Sequence, residues 1–187
     1  DTVGLYAFDT ITLSPNWLIN AGVRYDHYST DYDATTRTGT GPITATSLST
    51  SGDLWSGQLG LIYKPTENGS IYASYGTSAQ PPGGNNFSLA ASGNNANRTD
   101  FDPQETTTAE VGTKWDLLDK KLAVAAALYR TDVENEVIQD PTNTAVYTQG
   151  GKKRVQGVEL TAAGAITDRW GVSTGFTTMD TKIVSGP

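Results

Sequence analysis

The residues able to do chemistry are few. The chain holds one histidine, His27, and no cysteine, which removes disulfide scaffolds, thiolate nucleophiles and multi-His or Cys metal centres from the start. Asp132, Glu134 and Glu136 recur at every second position, so on a strand they would share one face. A glycoside-cleaving pair needs two acids across a cleft, and nothing around these three indicates one; they read as the wetted, negative base of a loop. Gly150-Gly151-Lys152-Lys153 lacks the leading glycine spacing and the Ser or Thr of a phosphate loop. His27 ends an alternating segment with no Ser or Cys partner and reads as an interfacial side chain. What remains is cationic. Lys152, Lys153 and Arg154 form the densest positive patch, with Arg37 and Arg98 in other polar stretches, and such runs are usually solvated.

The background is equally selective. Thirteen Lys plus Arg against twenty Asp plus Glu gives 13 − 20 = −7, which argues against a nucleic-acid partner. Charged residues are 18% of 187, below the roughly 25% of an average soluble domain, and 20 glycines with a mean hydropathy of −0.39 describe a β-rich, turn-rich chain with little material for a dry core. The longest apolar run, Leu122 to Tyr129, is far short of the ~18 residues of a transmembrane helix. No signal-peptide pattern opens the chain, so Asp1 is expected to be a mature end or an interior cut.

The elements that must position these groups are strands. Trp17, Ile19, Ala21, Val23 and Tyr25 alternate with Leu18, Asn20, Gly22, Arg24 and Asp26. The same period places Trp55, Leu59, Leu61 and Tyr63, then Ile71, Ala73 and Tyr75, then Ala109, Val111 and Trp115, on apolar edges, and it continues through Leu122–Leu128, Val158–Ala162 and Trp170–Phe176. In the first segment, near Gly4 to Leu13, Tyr6 and Phe8 fall on one parity and Leu5, Ile11 and Leu13 on the other, so its facing stays open. Eight strands in four hairpins result, with tight turns centred near 15, 66, 118 and 168. Between hairpins lie Ser29–Asp53, Ala79–Gln104 and Val133–Lys152, each beyond the roughly 12–15 residues of ordinary loops.

Short turns on one side and long polar loops on the other describe an outer-membrane β-barrel. Trp17, Tyr63, Trp115 and Trp170 beside the turns, with Tyr25 and Tyr75 toward the loops, supply two aromatic girdles. Arg24, Asp26, Glu110, Lys114 and Glu159 then face a wet lumen that a soluble sandwich would have to replace with a dry core. The opposite faces are rich in Gly, Ser and Thr, too small to plug a narrow eight-stranded barrel, and the final Val184–Pro187 reads as loop, so the chain is expected to be an arc of a larger barrel. A complete small barrel, acting as a passive pore or a structural or adhesive protein, is the alternative.

Several stretches carry a resemblance. Gly4-Leu5-Tyr6-Ala7-Phe8-Asp9-Thr10 with Ala21-Gly22-Val23-Arg24-Tyr25-Asp26 resembles a hairpin of TonB-dependent outer-membrane siderophore receptors. Tyr72–Ser78, Pro81–Phe87, Asn97–Phe101, Glu110–Trp115, Tyr129–Val137 and Gly151–Glu159 are similar to the ferric-catecholate (Fiu/PiuA-like) branch of that family, and together the likeness spans the chain. The resemblance implies a 22-stranded barrel around a plug, in the bacterial outer membrane, taking ferric siderophore into the periplasm with energy from the TonB-ExbB-ExbD complex. Residues 1–187 then correspond to part of the barrel domain, without a recognisable plug, TonB box or last barrel strands.

A transporter of this kind is not an enzyme and needs no cofactor or metal ligands, because iron arrives already chelated. A ferric tris-catecholate is a bulky aromatic anion, so its receptor needs aromatic faces and Arg or Lys at the mouth. The candidate contacts are Gln80, Asn85, Asn86, Phe87, Asn97 and Arg98 in one loop and Lys152, Lys153 and Arg154 in another. Outer-membrane lipid and lipopolysaccharide are the remaining partners, the latter competing for the Lys152–Arg154 patch.

Overall fold

The computed structural model describes residues 1–83, 88–91, 94–167 and 169–186. It is one antiparallel sheet: β1 (Thr2–Ser14), β2 (Trp17–Arg37), β3 (Ile43–Thr66), β4 (Gly69–Gln80), β5 (Gln104–Leu117), β6 (Leu122–Gln139), β7 (Tyr147–Thr167) and β8 (Trp170–Ser185). The strands lie in chain order, β1 to β8, each paired with its sequence neighbours. The sheet does not close between β1 and β8, so it is neither a sandwich nor a complete eight-stranded barrel.

Register fixes the two faces. Trp17, Ile19, Ala21, Val23 and Tyr25 stand opposite Tyr63, Leu61, Leu59, Gly57 and Trp55. The same face runs on through Ile71, Ala73 and Tyr75 to Thr113, Val111 and Ala109, then Ala126, Leu128, Leu160 and Phe176. The first strand now has a facing: Leu5, Ala7 and Ile11 join this apolar set, while Tyr6 and Phe8 pair with Arg24 and Gly22 on the other side. Asp9 also falls on the apolar side, its carboxylate accepting the Thr10 N–H at 2.7 Å.

Apolar residues on this face are open rather than packed. Leu59, Leu128 and Phe176 are 57–58% exposed, and among the described residues only Tyr28 and Leu89 are buried apolar side chains. An exposed apolar belt without a core is what a lipid-facing wall requires. Aromatic pairs mark its edges, Trp17 against Tyr63 at 4.6 Å near the turns and Tyr25 against Trp55 at 5.0 Å toward the loops.

The pairing is also staggered. A row followed across the strands starts at Trp17, beside its turn, and passes Tyr63, Ile71, Thr113, Ala126 and Leu160 to reach Phe176, well inside β8. Strands tilted in this way give a barrel wall its shear. Aromatic rings cover glycines directly opposite them, Phe8 over Gly22, Tyr28 over Gly52, Tyr72 over Gly112 and Tyr129 over Gly157, so the wall stays thin where side chains would collide.

Two of the three long loops are shorter than the sequence suggests. β2 and β3 remain paired out to Arg37↔Ile43, and β6 and β7 to Gln139↔Tyr147. These segments are polar on both faces, so alternation fades, yet their Thr and Val residues favour extended backbone and the ladder continues above the membrane. The connection between β4 and β5 holds, among its described residues, no strand beyond the isolated Ala90–Arg98 bridge.

Candidate ligand-facing mouth

A membrane strand needs about 10 residues, so counting from the turns, the residues beyond Tyr25 on β2, Ala109 on β5 and Arg130 on β6 lie outside the apolar layer. Within the layer, the inward face carries Arg24, hydrogen-bonded to Asp26 at 2.6 Å, and a second polar group around Tyr72. The Tyr72 hydroxyl donates to Glu110 at 2.6 Å, and the Lys114 ammonium sits 5.3 Å from the Tyr72 ring centre. Glu159 shares this face and makes no hydrogen bond or ion pair among the described residues. Two carboxylates and one ammonium at this depth need water or a polar partner, as in a filled lumen.

Above the layer, alternation divides the cationic triplet. Arg154 lies opposite Asp132 and bonds it at 2.6 Å, while Arg130 reaches the same carboxylate at 2.9 Å. Both arginines continue the lipid-facing side, as does Lys182 opposite Arg154. Lys152, paired with Glu134, shares that outward side. Lys153 points the other way and holds Glu136 at 3.0 Å. The two guanidinium groups lower the proton affinity of Asp132, Arg154 by its hydrogen bond most of all.

Asp132, Glu134 and Glu136 therefore do not share a face. Asn135 sits at φ 56° and the ladder shifts between Val133 and Glu136, a bulge that sends Glu136 inward. There Gln104 donates to it at 3.4 Å.

Of the remaining candidates, Asn85, Asn86 and Phe87 lie outside the described residues. Gln80 ends β4 opposite Gln104 and lines a crevice of about 200 Å³ with Pro81, Pro82, Asn97, Phe101 and Gln149. Arg98 bonds Asp100 at 2.8 Å and lies 4.9 Å from the Phe101 ring centre, so its charge is already directed along the loop. The structure thus gathers Gln80 and Asn97, with Arg98 alongside, at one side of the mouth and separates Lys152 and Arg154 from them by facing. Three further residues complete the mouth, joined by side-chain to backbone bonds: Gln149, which the sequence offers among the polar residues of its long loops, and Asn135 and Asp102, which it does not single out as contacts.

A staggered sheet with a lipid-facing belt, a polar inward face and long polar extensions on one side defines the wall and mouth of an outer-membrane receptor barrel. Residues 1–186 match the family described as TonB dependent receptor-like, beta-barrel, and the chain belongs to that family. This places it in the bacterial outer membrane. It is 47% identical to the "Catecholate siderophore receptor Fiu" of Escherichia coli K12 over all of this chain and 26% of that receptor. The "Probable TonB-dependent siderophore receptor PiuA" of Acinetobacter baumannii is 39% identical over 98% of this chain and 24% of its own length. Crystal structures of the same two receptors superpose with TM-scores of 0.90 for Fiu in its closed form and 0.83 for PiuA, covering 99% and 97% of this chain and 28% and 25% of theirs. The chain spans about a quarter of the length of these relatives.

Proposed function

We propose that this chain is the wall and part of the mouth of a receptor that binds ferric catecholate siderophores and passes them to the periplasm with energy from the TonB-ExbB-ExbD complex, delivered through a plug inside the barrel. The observation that carries the reading is 47% identity, over an alignment that covers the whole chain, to a catecholate siderophore receptor. The loop between β4 and β5 fits the role: Asn97 and Arg98 offer a donor and a cation beside the Phe101 ring, a combination suited to an aromatic anion. Iron would travel as cargo inside its chelator, with no resident metal in the protein. The partner of Arg130, Arg154 and Lys182 is then lipopolysaccharide phosphate rather than siderophore, since these side chains continue the lipid-facing side.

The test is deletion of residues 81–98 in the full receptor, followed by growth on ferric catecholates and on ferric hydroxamates as sole iron sources. Loss on catecholates alone is expected; equal loss on both, or on neither, overturns the catecholate reading.

A further inference from the structure

The tip of the β6–β7 hairpin holds the loop that joins β4 to β5. Gln149 donates from Nε2 to the Asp102 carbonyl at 2.7 Å and to the Asn135 carbonyl at 3.1 Å, and its Oε1 accepts the Asp102 N–H at 2.8 Å. One primary amide thereby commits both its protons and its oxygen to backbone. From the opposite strand of the hairpin, Asn135 donates Nδ2 to the Pro103 carbonyl at 3.0 Å. Its left-handed backbone, at φ 56°, is a conformation that Asn accepts more readily than most residues. Two amides thus hold consecutive residues, Asp102 and Pro103, where the loop returns into β5.

The described part of the loop is braced internally. Ala90 bridges to Arg98, its N–H bonds the Asn97 carbonyl at 2.9 Å, and Leu89 is 3% exposed. Arg98 is fixed by Asp100 and Phe101, just before the clamped residues. The placement of these residues at the mouth is set where the loop is tied down, at Asp102 and Pro103.

We propose that Gln149 and Asn135 are positioning residues for ligand recognition: they hold the loop that presents Asn97 and Arg98, so affinity depends on two side chains whose amides are occupied by backbone. The proposal rests on the reading that a ferric catecholate meets this loop. An amide is required at 149. Glutamate, of the same shape, keeps the acceptor for Asp102 N–H but turns carboxylate oxygen toward the Asp102 and Asn135 carbonyls.

The full receptor carrying Gln149→Ala, Gln149→Glu, Asn135→Gly, Arg98→Ala and the Gln149→Ala/Arg98→Ala pair tests this. Asn135→Gly keeps the backbone conformation while removing the bond to Pro103, so it serves if a Gln149 variant fails to fold. Three readouts are needed: barrel folding by compact migration of the unheated protein in detergent gels, hydrogen exchange at Asp102 and residues 94–101, and the Kd for ferric tris-catecholate. Folded Gln149 and Asn135 variants should lose protection at Asp102 and its loop, and Kd should rise on the order of tenfold, the value of one or two net hydrogen bonds. In the Arg98→Ala background the same change should add less than it does alone, because one of the two contacts that the clamp presents is already gone. Additive losses, unchanged protection, or loosened exchange with unchanged Kd would each overturn the proposal. A wild-type receptor that binds no ferric catecholate would instead overturn the function, leaving the clamp to stand or fall on exchange alone.

Discussion

At the scale of single residues, the wall depends on places where no side chain fits. Gly164 has φ 143°, and a Cβ there would lie 2.1 Å from the Lys121 carbonyl oxygen, which is backbone and has nowhere to go. Gly164→Ala should destabilise the receptor by about 2–3 kcal/mol through strain and a shifted turn, read as a lower urea midpoint for unfolding from lipid vesicles; an unchanged midpoint would mean that the β6–β7 pairing relaxes freely there. A charged residue gives the second prediction. Asp132 has its proton affinity lowered in the folded state, first by the hydrogen bond from Arg154. A lowered folded value means that the stabilisation is present at neutral pH and is lost as pH falls below the ordinary carboxylate value of about 4. Amide protection factors at the outer ends of β6 and β7, taken against the intrinsic exchange rate at each pH, should therefore fall in acid, and Asp132→Asn should show the lower protection already at neutral pH. A wild-type pH profile matching that of the variant would remove the carboxylate from the account.

At the scale of elements, strand number, order and, outside β1, facing were legible because one face meets lipid. Lipid tolerates only apolar side chains, so period two is written plainly from Trp17 to Tyr25 and from Trp55 to Tyr63. Beyond the layer both faces are wet, the period loses its cause, and the outer ends of β2, β3, β6 and β7 looked like loop although their ladders continue. The bulge at Asn135 was invisible for a related reason: acids at 132, 134 and 136 keep their spacing in sequence whether or not the backbone adds a residue between them. The candidate site inherited that blindness. Arg98 was found by charge, and Gln80 and Gln149 as polar residues of long loops, whereas the hold of Gln149 on backbone leaves no pattern. A paired substitution tests the facing directly. Leu61→Arg, on the belt, should cost roughly 2–4 kcal/mol of folding stability in bilayers, and Gly60→Arg, one residue away on the inward face where a Cβ would make only ordinary van der Waals contacts, well under half of that. A larger cost at Gly60 than at Leu61 would mean that the faces have been assigned the wrong way round.

At the scale of the whole molecule, these 187 residues lack the usual sources of cohesion. Among the described residues hardly any apolar side chain is buried, the belt is open, and β1 and β8 each present an outer edge whose backbone groups are unpaired within the sheet. Hydrogen bonds of the ladder contribute little net stability while the unfolded chain bonds water instead, and the hydrophobic gain arrives only when lipid covers Leu59, Leu128 and Phe176. Closure matters as much as lipid, because an open edge inside a bilayer leaves each unsatisfied peptide group at a cost of several kcal/mol. It follows that residues 1–187 expressed alone should neither insert into vesicles nor unfold cooperatively in water, and should associate through their edges. The full receptor, urea-unfolded and diluted into the same vesicles, should recover compact migration in detergent gels. Should the 187-residue segment insert as a monomer with a sharp unfolding transition, its edges must meet, and the wall would be a small closed barrel in its own right.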